Sequence, residues 1–459
     1  MTTSVSRRQF LKTASLMSIA GAASPFALNL ASISAASAQT LPGYRAIVCL
    51  FLNGGNDHAN TLIPYDQPSY NEYLAARDTI AIPRDAQLTA NATGPVASQG
   101  GREFAFHPAL TAFKTHWDQN RLAVVANAGP LIVPTTKTQY NNRSVPLPPK
   151  LFSHNDQVSA WQADRARGEG PGLGWGGTLG DLLMSQNSNA LFTCISASGN
   201  AVFLSGQNVI QYRVSSSGAI AIRGVTDTTL YGSAAATAAY RSLITSTPAN
   251  MIENELGVVT NRSITANETL RTALPAASTL IPAIPANNGL AAQLSVVARI
   301  IAARGALGTS RQVFFVSLGG FDNHDVLLTQ HAAQLTQLNA AVTAFYAWLT
   351  QAGVQNDVTI FTGSDFGRTL TSNGDGSDHG WGSHHFVLGG AVLGHEVYGT
   401  FPPTAFGTSV DIGQGNTIPG VAVDQYAATF ARWLGVSDTD VPLVLPNVGN
   451  YPSRYLAFL

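Results

Sequence analysis

The chain has 459 residues, of which 45% are hydrophobic and only 11% are charged, and its formal net charge is −1. A chain of this length and apolar content can bury a large core, either as one large α/β domain with insertions or as two or three average domains. The near-neutral balance, without a basic patch, argues against a nucleic-acid partner, and two cysteines do not make a disulfide framework.

The first 38 residues have the pattern of an export signal. Residues 6–12, SRRQFLK, contain paired arginines, a moderately apolar stretch follows, and Ala-Ser-Ala at 36–38 gives a small-residue cleavage site. This stretch resembles a twin-arginine (Tat) signal, which implies the Tat translocase as a transient partner and a periplasmic or secreted mature protein. The alternative is an uncleaved membrane anchor, which Pro25 and Asn29 disfavour because they interrupt the apolar stretch. We therefore expect no stable membrane anchor.

Strand-like and helix-like segments alternate along most of the remaining chain. Predicted strands cover 44–52, 121–128, 312–318, 358–361 and 386–392, and predicted helices cover 106–117, 291–304, 328–349 and 425–434. The helix over 328–349 carries an apolar stripe that includes His331, which we interpret as a structural residue. This alternation predicts an α/β fold with a mostly parallel central sheet and helices on both faces.

Residues 191–288 differ from the rest of the chain because they are rich in Ala, Ser and Thr, with helical stretches near 234–243 and 250–270. We interpret them as an inserted cap or subdomain. The predicted organisation is then a signal peptide (1–38), the N-terminal part of the α/β domain (39–190), the insertion, and the C-terminal part (289–459).

Three predicted strands are each followed by a glycine-containing turn and an acid. These acids are Asp57, Asp322 and Asp365, in the stretches NGGND, GGFDNH and TGSD. Because the carboxyl ends of parallel strands share one edge of a sheet, we expect the three carboxylates to converge there. Each of them could instead cap a helix or form a turn.

Histidines accompany these acids. His324 follows Asp322 by two residues, and His379, His384 and His385 lie before the strand predicted at 386–392. Mixed nitrogen and oxygen ligands predict one or two divalent metal ions, with zinc favoured and manganese or iron as alternatives.

Other polar residues near this pattern have simpler interpretations. Asp375 lies between two glycines and is interpreted as a turn residue, and Asp378 as a residue that orients His379. The remaining histidines have no partner pattern and are assigned to the surface or core: His58, His107, His116, His154 and His395.

Ser153 is the candidate nucleophile. It precedes a predicted helix, whose N-terminus favours an anionic substrate group, and a nearby metal would lower the pKa of its hydroxyl. Ser153 could instead only cap that helix, and Thr61 is a second candidate hydroxyl. The sequence has no G-x-S-x-G, Walker A or Rossmann glycine motif.

With these residues collected, the chain resembles the Tat-exported bacterial family known as domain of unknown function 1501, within the alkaline-phosphatase/sulfatase superfamily. The matching stretches are FLNGGNDHANTLIP, LFSHNDQ, GGFDNHD, and GSDFGRT followed by SDHGWGSHHFVLGG. The resemblance implies an alkaline-phosphatase-like fold and a nucleophile position at Ser153. It implies metal-ligand positions at Asp57, Asp322, His324, Asp365 and one or two of His379, His384 and His385.

The chain departs from the superfamily pattern at two points. Phe366 follows Asp365 where the superfamily often has histidine, and the Asp322–His324 spacing is shorter than the phosphatase pattern. The predicted function is a metal-dependent hydrolase of a small phosphate or sulfate ester. The alternative is a non-catalytic exported binding or assembly protein on the same fold.

Overall fold

The computed structural model describes residues 42–163, 172–276, 280–281 and 284–459. The predicted export signal at residues 1–38 lies outside this part of the chain. Within the described ranges, no helix has the combination of length and apolarity that a membrane crossing requires.

The strands and helices are numbered in chain order. The strands are β1 (Arg45–Leu52), β2 (Leu62–Pro64), β3 (Ala92–Val96), β4 (Arg102–Phe106), β5 (Leu122–Gly129), β6 (Cys194–Ser196), β7 (Tyr212–Ser215), β8 (Gly218–Ala219), β9 (Arg311–Leu318), β10 (Val358–Ser364), β11 (Arg368–Ser372), β12 (Ser377–His379), β13 (Ser383–Leu388), β14 (Glu396–Tyr398) and β15 (Val421–Ala422). The helices are α1 (His58–Thr61), α2 (Gln67–Arg77), α3 (Ala86–Ala90), α4 (Thr111–Asp118), α5 (Lys137–Asn142), α6 (His154–Ala163), α7 (Trp175–Leu183), α8 (Ala234–Ile244), α9 (Met251–Ala273), α10 (Gly289–Ala302), α11 (Leu327–Gln351), α12 (Val423–Leu434) and α13 (Val441–Val444).

A mixed, mostly parallel sheet forms the centre of the fold. Its strand order is β14-β5-β13-β10-β1-β9-β6-β7-β8, and β15 also pairs with β5. β1 pairs in parallel with both β10 and β9, whereas β13 is antiparallel to both of its neighbours and β8 is antiparallel to β7. The predicted mostly parallel central sheet is confirmed.

Helices cover both faces of the sheet, as predicted, and the residues of β1 show why. Val48 and Leu50 belong to one hydrophobic cluster, which also contains residues of α10 and α11. Ile47 and Cys49, at the alternate positions, belong to a second cluster, which contains residues of α7 and α12. Since successive side chains of a strand point to opposite faces, an uninterrupted apolar run requires a core on each side.

The segment 191–288 contributes to the central sheet as well as to helices. β6 pairs in parallel with β9, and β7 pairs in parallel with β6. The two helical stretches predicted in this segment correspond to α8 and α9. The interpretation of the whole segment as a separate cap stays a prediction, and its first strands extend the edge of the main sheet.

Candidate metal centre

The loops that follow β1, β9 and β10 meet at one edge of the sheet, because these three strands are parallel neighbours. The turn after β1 connects the other two loops. The Gly54 N–H donates to Asp365 Oδ1 at 2.9 Å, and the Phe321 N–H donates to the Asn53 carbonyl at 3.1 Å. Gly54 has a φ of +114°, and a Cβ there would lie 2.4 Å from the Asp322 nitrogen. Glycine is therefore required for the close approach that places Asp322 beside Asp365.

Three imidazoles surround the Asp322 carboxylate. The Nε2 atom of His324 lies 3.1 Å from Asp322 Oδ1, that of His379 lies 3.3 Å from the same oxygen, and that of His154 lies 3.4 Å from Oδ2. The Nε2 atoms of His324 and His379 are 3.0 Å apart. Asp322, His154, His324 and His379 are all partly exposed, so the cluster is open to solvent. We call these four residues the His-Asp cluster.

Oxygen atoms behind the cluster orient the imidazole rings. His379 Nδ1 donates to the Phe152 carbonyl at 2.7 Å, and His154 Nδ1 lies 2.8 Å from Asp365 Oδ2, which can only accept its proton while ionised. In the neutral form of each ring, Nε2 then presents its lone pair toward Asp322. A histidine whose far nitrogen is held by a carboxylate or carbonyl is the usual arrangement of a metal ligand.

A strained backbone holds the Phe152 carbonyl in position. Phe152 has a φ of +72°, and Lys150, two residues earlier, has a φ of +46°. A bulky residue in the left-handed region costs of order 1 kcal/mol and is rare outside functional or tightly constrained segments. The same bend leads directly into α6, so it sets the positions of Ser153 and His154 as well.

Arg368 fixes Asp322 from beneath the cluster. Its buried guanidinium donates to Asp322 Oδ1 and to the carbonyls of Gly54, Gly55, Phe321 and Ser377. Burial raises the pKa of Asp322, but the hydrogen bond and charge of Arg368 outweigh it, with smaller effects of nearby histidines, so the net pKa lies below the ordinary value. Burial also lowers the pKa of His379. Both shifts favour the metal-binding forms, an ionised carboxylate and a neutral imidazole.

The donor set fits a divalent ion. His154, Asp322 and His379 each offer one ligand atom within 4.8 Å of the other two. Tetrahedral ligands bonded at about 2.0 Å lie roughly 3.3 Å from one another, and the Nε2 atoms of His154 and His379 lie 3.4 and 3.3 Å from an oxygen of Asp322. A neutral His379 would direct its Nε2 lone pair toward the Asp322 carboxylate and the His324 ring. Because lone pairs and a carboxylate repel one another, this arrangement requires a positive charge between these groups. A proton on one ring or a metal ion can supply that charge.

Asp57, the first predicted metal ligand, makes a different contact. Its carboxylate forms a buried ion pair with Arg77, whose guanidinium also donates to the carbonyls of Thr369 and Leu370. Among the described residues, no histidine of the His-Asp cluster contacts Asp57. Its role as a ligand stays a prediction, and the ion pair is the contact that the structure gives it.

His384 and His385 lie within β13, although the sequence placed them on the preceding loop. Strand pairing with β5 begins at Ser383, so both histidines are buried and point to opposite faces of the sheet. His384 Nδ1 accepts from the Asn127 N–H at 3.0 Å, and the His385 ring stacks on Tyr426 at 5.8 Å. Neither is among the residues that surround Asp322, so the structure brings only His379 of the three to the cluster.

Ser153 lies between Phe152 and His154, next to the cluster along the chain. Its hydroxyl donates to Asp156 Oδ2 at 2.7 Å, within the first turn of α6. This contact is compatible with both interpretations of Ser153, because Asp156 can accept a proton from a nucleophile or can simply hold a capping hydroxyl. The nucleophile assignment stays a prediction.

Two residues near the cluster, His154 and Asp378, differ from what the sequence suggested, and a third, Phe366, makes a contact that the sequence did not predict. His154, assigned to the surface or core, is one of the four cluster residues; its only sequence signal was its position beside Ser153 in LFSHNDQ. Asp378 Oδ1 lies 3.3 Å from His324 Nδ1, so it orients His324, where the sequence suggested His379. Phe366 packs its ring against His154 and His379, with centroids 4.9 and 4.4 Å apart.

Comparisons with known proteins give a family but no activity. The chain is similar to the lipoteichoic acid synthase LtaP of Listeria monocytogenes (9% identity, TM-score 0.31, 90% of this chain and 78% of that chain). It is also similar to a Bacteroides thetaiotaomicron protein of glycosaminoglycan metabolism (12%, 0.35, 87% and 74%) and to the C-terminal periplasmic domain of EptC from Escherichia coli (10%, 0.31, 92% and 94%). TM-scores this low support no inference about activity.

No curated protein matches the chain. Residues 44–441, in contrast, match the family described as protein of unknown function DUF1501. This match spans both sides of the 191–288 segment and all four residues of the His-Asp cluster. The chain therefore belongs to the DUF1501 family.

Proposed function

We propose that this protein is an exported metal-dependent hydrolase of phosphate or sulfate esters. The observation that carries the proposal is the His-Asp cluster, in which three imidazoles converge on one carboxylate and two have their far nitrogens held by oxygen acceptors. Such a donor set suits one zinc, manganese or iron ion. A bound divalent ion would supply a positive charge that polarises a phosphoryl or sulfuryl oxygen.

The remaining steps, positioning the cluster residues and attacking the ester, are carried out by side chains and a backbone carbonyl of the chain. Asp365, Arg368 and the Phe152 carbonyl hold the cluster residues in position. Ser153 Oγ attacks phosphorus or sulfur in line with the leaving oxygen, and its proton passes to Asp156 Oδ2, with which it is already hydrogen-bonded at 2.7 Å. The bond to the leaving oxygen breaks, and that oxygen takes a proton from solvent as it departs. Water then attacks the ester on Ser153 and releases a proton to solvent, the bond to Ser153 Oγ breaks, and Oγ recovers the proton held by Asp156.

Metal content and turnover test this proposal together. Wild-type protein exported through its own signal should contain about one divalent ion per chain and hydrolyse aryl phosphates or aryl sulfates. Asp322→Asn should lose the metal and the activity, whereas Asp118→Asn, which alters an exposed acid on α4, should lose neither. Ser153→Ala should keep the metal and lose turnover.

Two outcomes would contradict the proposal. Metal-free protein without turnover, unchanged by Ser153→Ala, would favour an exported binding or assembly protein. A metal-loaded protein whose turnover survives Ser153→Ala would assign the attack to a hydroxyl other than Ser153, such as water or Thr61.

A further inference from the structure

A groove continues from the His-Asp cluster along the segment that precedes α6. The cavity beside the cluster has a volume of about 500 Å³ and is lined by His324, His379 and Asp378, together with Tyr140 and Phe152. The adjoining groove, of about 820 Å³, is lined by residues 140–152 and shares Tyr140 and Phe152 with the first cavity. The two aromatic rings therefore lie where the cavities join.

The size of this space exceeds what a phosphate or sulfate group needs. Cavities of 300–1,000 Å³ accommodate whole organic ligands. The groove wall combines apolar and aromatic side chains, such as Leu147 and Phe152, with the polar side chains of Asn141, Arg143 and Lys150. A substrate that fills it carries an organic part beyond the ester bond, with both an apolar surface and a polar or charged group.

The charged side chains that line the groove are all positive. Its charged lining residues are Arg143 and Lys150, and none of its nine lining residues is acidic. Lys150 Nζ lies 3.7 Å from Asp156 Oδ1, which partly neutralises it, whereas Arg143 forms no salt bridge with the described residues. Arg143 is exposed and ends α5 with a φ of +49°.

We propose that the groove is a subsite for the organic part of the ester, and that Arg143 binds a second anionic group on it. This inference rests on the proposed function, since it places the ester itself at the His-Asp cluster. The substrate class is then an ester of a flat, apolar alcohol, such as an aryl alcohol, that carries an additional carboxylate, sulfate or phosphate. Tyr140 and Phe152 contact the flat part, and the arginine contacts the distal anion.

Binding of three non-hydrolysable phosphonates tests the subsite without depending on turnover. Methylphosphonate lacks both features, phenylphosphonate has the ring, and 4-carboxyphenylphosphonate has the ring and the second anion. Calorimetry with metal-loaded protein should show affinity rising in that order, with a gain of roughly two- to five-fold from the carboxylate, as expected for one exposed ion pair. Arg143→Gln should abolish the carboxylate gain and leave the affinity for phenylphosphonate unchanged.

Arg262→Gln is the matched control, because Arg262 is an exposed arginine on α9 and lines neither cavity. It should retain the carboxylate gain. Tyr140→Leu should reduce the gain from the ring, with its melting temperature measured to confirm folding, since the Tyr140 ring also packs on Trp381 at 5.9 Å.

Failure of the subsite is distinguishable from failure of the hydrolase proposal. If all three phosphonates bind equally, or if the carboxylate gain survives Arg143→Gln, the subsite is wrong even when aryl esters are hydrolysed. If the phosphonates show the expected order and its loss in Arg143→Gln but no ester is turned over, the subsite stands and the hydrolase proposal fails. If 4-carboxyphenylphosphonate does not bind, the subsite is overturned.

Discussion

The ion pair between Asp57 and Arg77 gives the sharpest test of how the site is built. Both side chains are fully buried, and Asp57 Oδ1 has no hydrogen-bond partner among the described residues. Asp57→Asn would leave the Arg77 charge buried with no opposite charge, because its remaining acceptors would be neutral carbonyl oxygens. Breaking one side of a buried pair costs about 3–5 kcal/mol. We therefore expect Asp57→Asn to lower the free energy of unfolding by about that amount.

This loss of unfolding free energy corresponds to a measurable fall in the midpoint temperature of unfolding. The unfolding entropy of a protein of this length is roughly 0.9 kcal/mol/K, so the midpoint should fall by roughly 3–6 °C. Calorimetry on metal-free Asp57→Asn and on metal-free wild type measures this directly. The double variant Asp57→Asn/Arg77→Met removes the stranded charge, so it should be about 2 kcal/mol more stable than the sum of the single changes predicts.

Metal content separates this structural role from the ligand role that the sequence suggested. Under the ion-pair interpretation, Asp57→Asn keeps the metal of wild type, because no residue of the His-Asp cluster contacts it. An unchanged unfolding midpoint together with loss of bound metal would show that Asp57 is a ligand, and the assignment of the cluster would then have to be redrawn.

Three further predictions follow from the same structure. Gly54→Ala should be strongly destabilising or misplace Asp322, because its Cβ would lie 2.4 Å from the Asp322 nitrogen; Gly101→Ala, also at positive φ but with nothing within 4 Å, is the control for backbone strain in thermal unfolding. Burial lowers the pKa of His331 and of His385 to about 3, so the unfolded chain binds their protons below pH 6.5 while the folded chain does not. Stability should therefore fall as the pH drops from about 6.5 toward 4, by about 1.4 kcal/mol per pH unit and histidine. His385→Phe should reduce the slope of unfolding free energy against pH by about one proton and keep the bound metal; loss of metal would instead make His385 a ligand.

The sequence predicted the framework of the site because strand ends are visible in local patterns. Apolar runs ending in glycine turns placed Asp322 and Asp365 at one edge, and the parallel pairing of β1 with β9 and β10 confirms that these ends are neighbours. The pattern could not show which positively charged side chain forms an ion pair with each aspartate in the folded protein. Asp57 has the same local signature as Asp322, but Arg77 of α2 neutralises it, and that contact depends on how α2 packs.

The histidines were harder to assign from the sequence, because their positions depend on a strand boundary and on contacts between distant parts of the chain. His384 and His385 look like loop residues only if β13 begins after them, and an error of three residues in a strand boundary moved both from the predicted site into the core. His154 was missed because one histidine at a helix start has no periodic or spaced partner in the sequence. Its partners, Asp322 and Asp365, are more than 160 residues away along the chain.

The separation of the cluster residues along the chain bears on the order of assembly. His154, Asp322 and His379 come from segments that are adjacent only after β9, β10 and the turn after β1 have paired across the middle of the sheet. An ion bound to these side chains would then cross-link the two ends of a chain segment of some two hundred residues, from His154 to His379. It would bind the native state but not partly folded states in which these strands have not yet paired. A free ion concentration of a hundred times the dissociation constant would add about 2.7 kcal/mol to the stability of the native state. Metal binding would thus show that the N-terminal and C-terminal parts of the chain have paired in the central sheet.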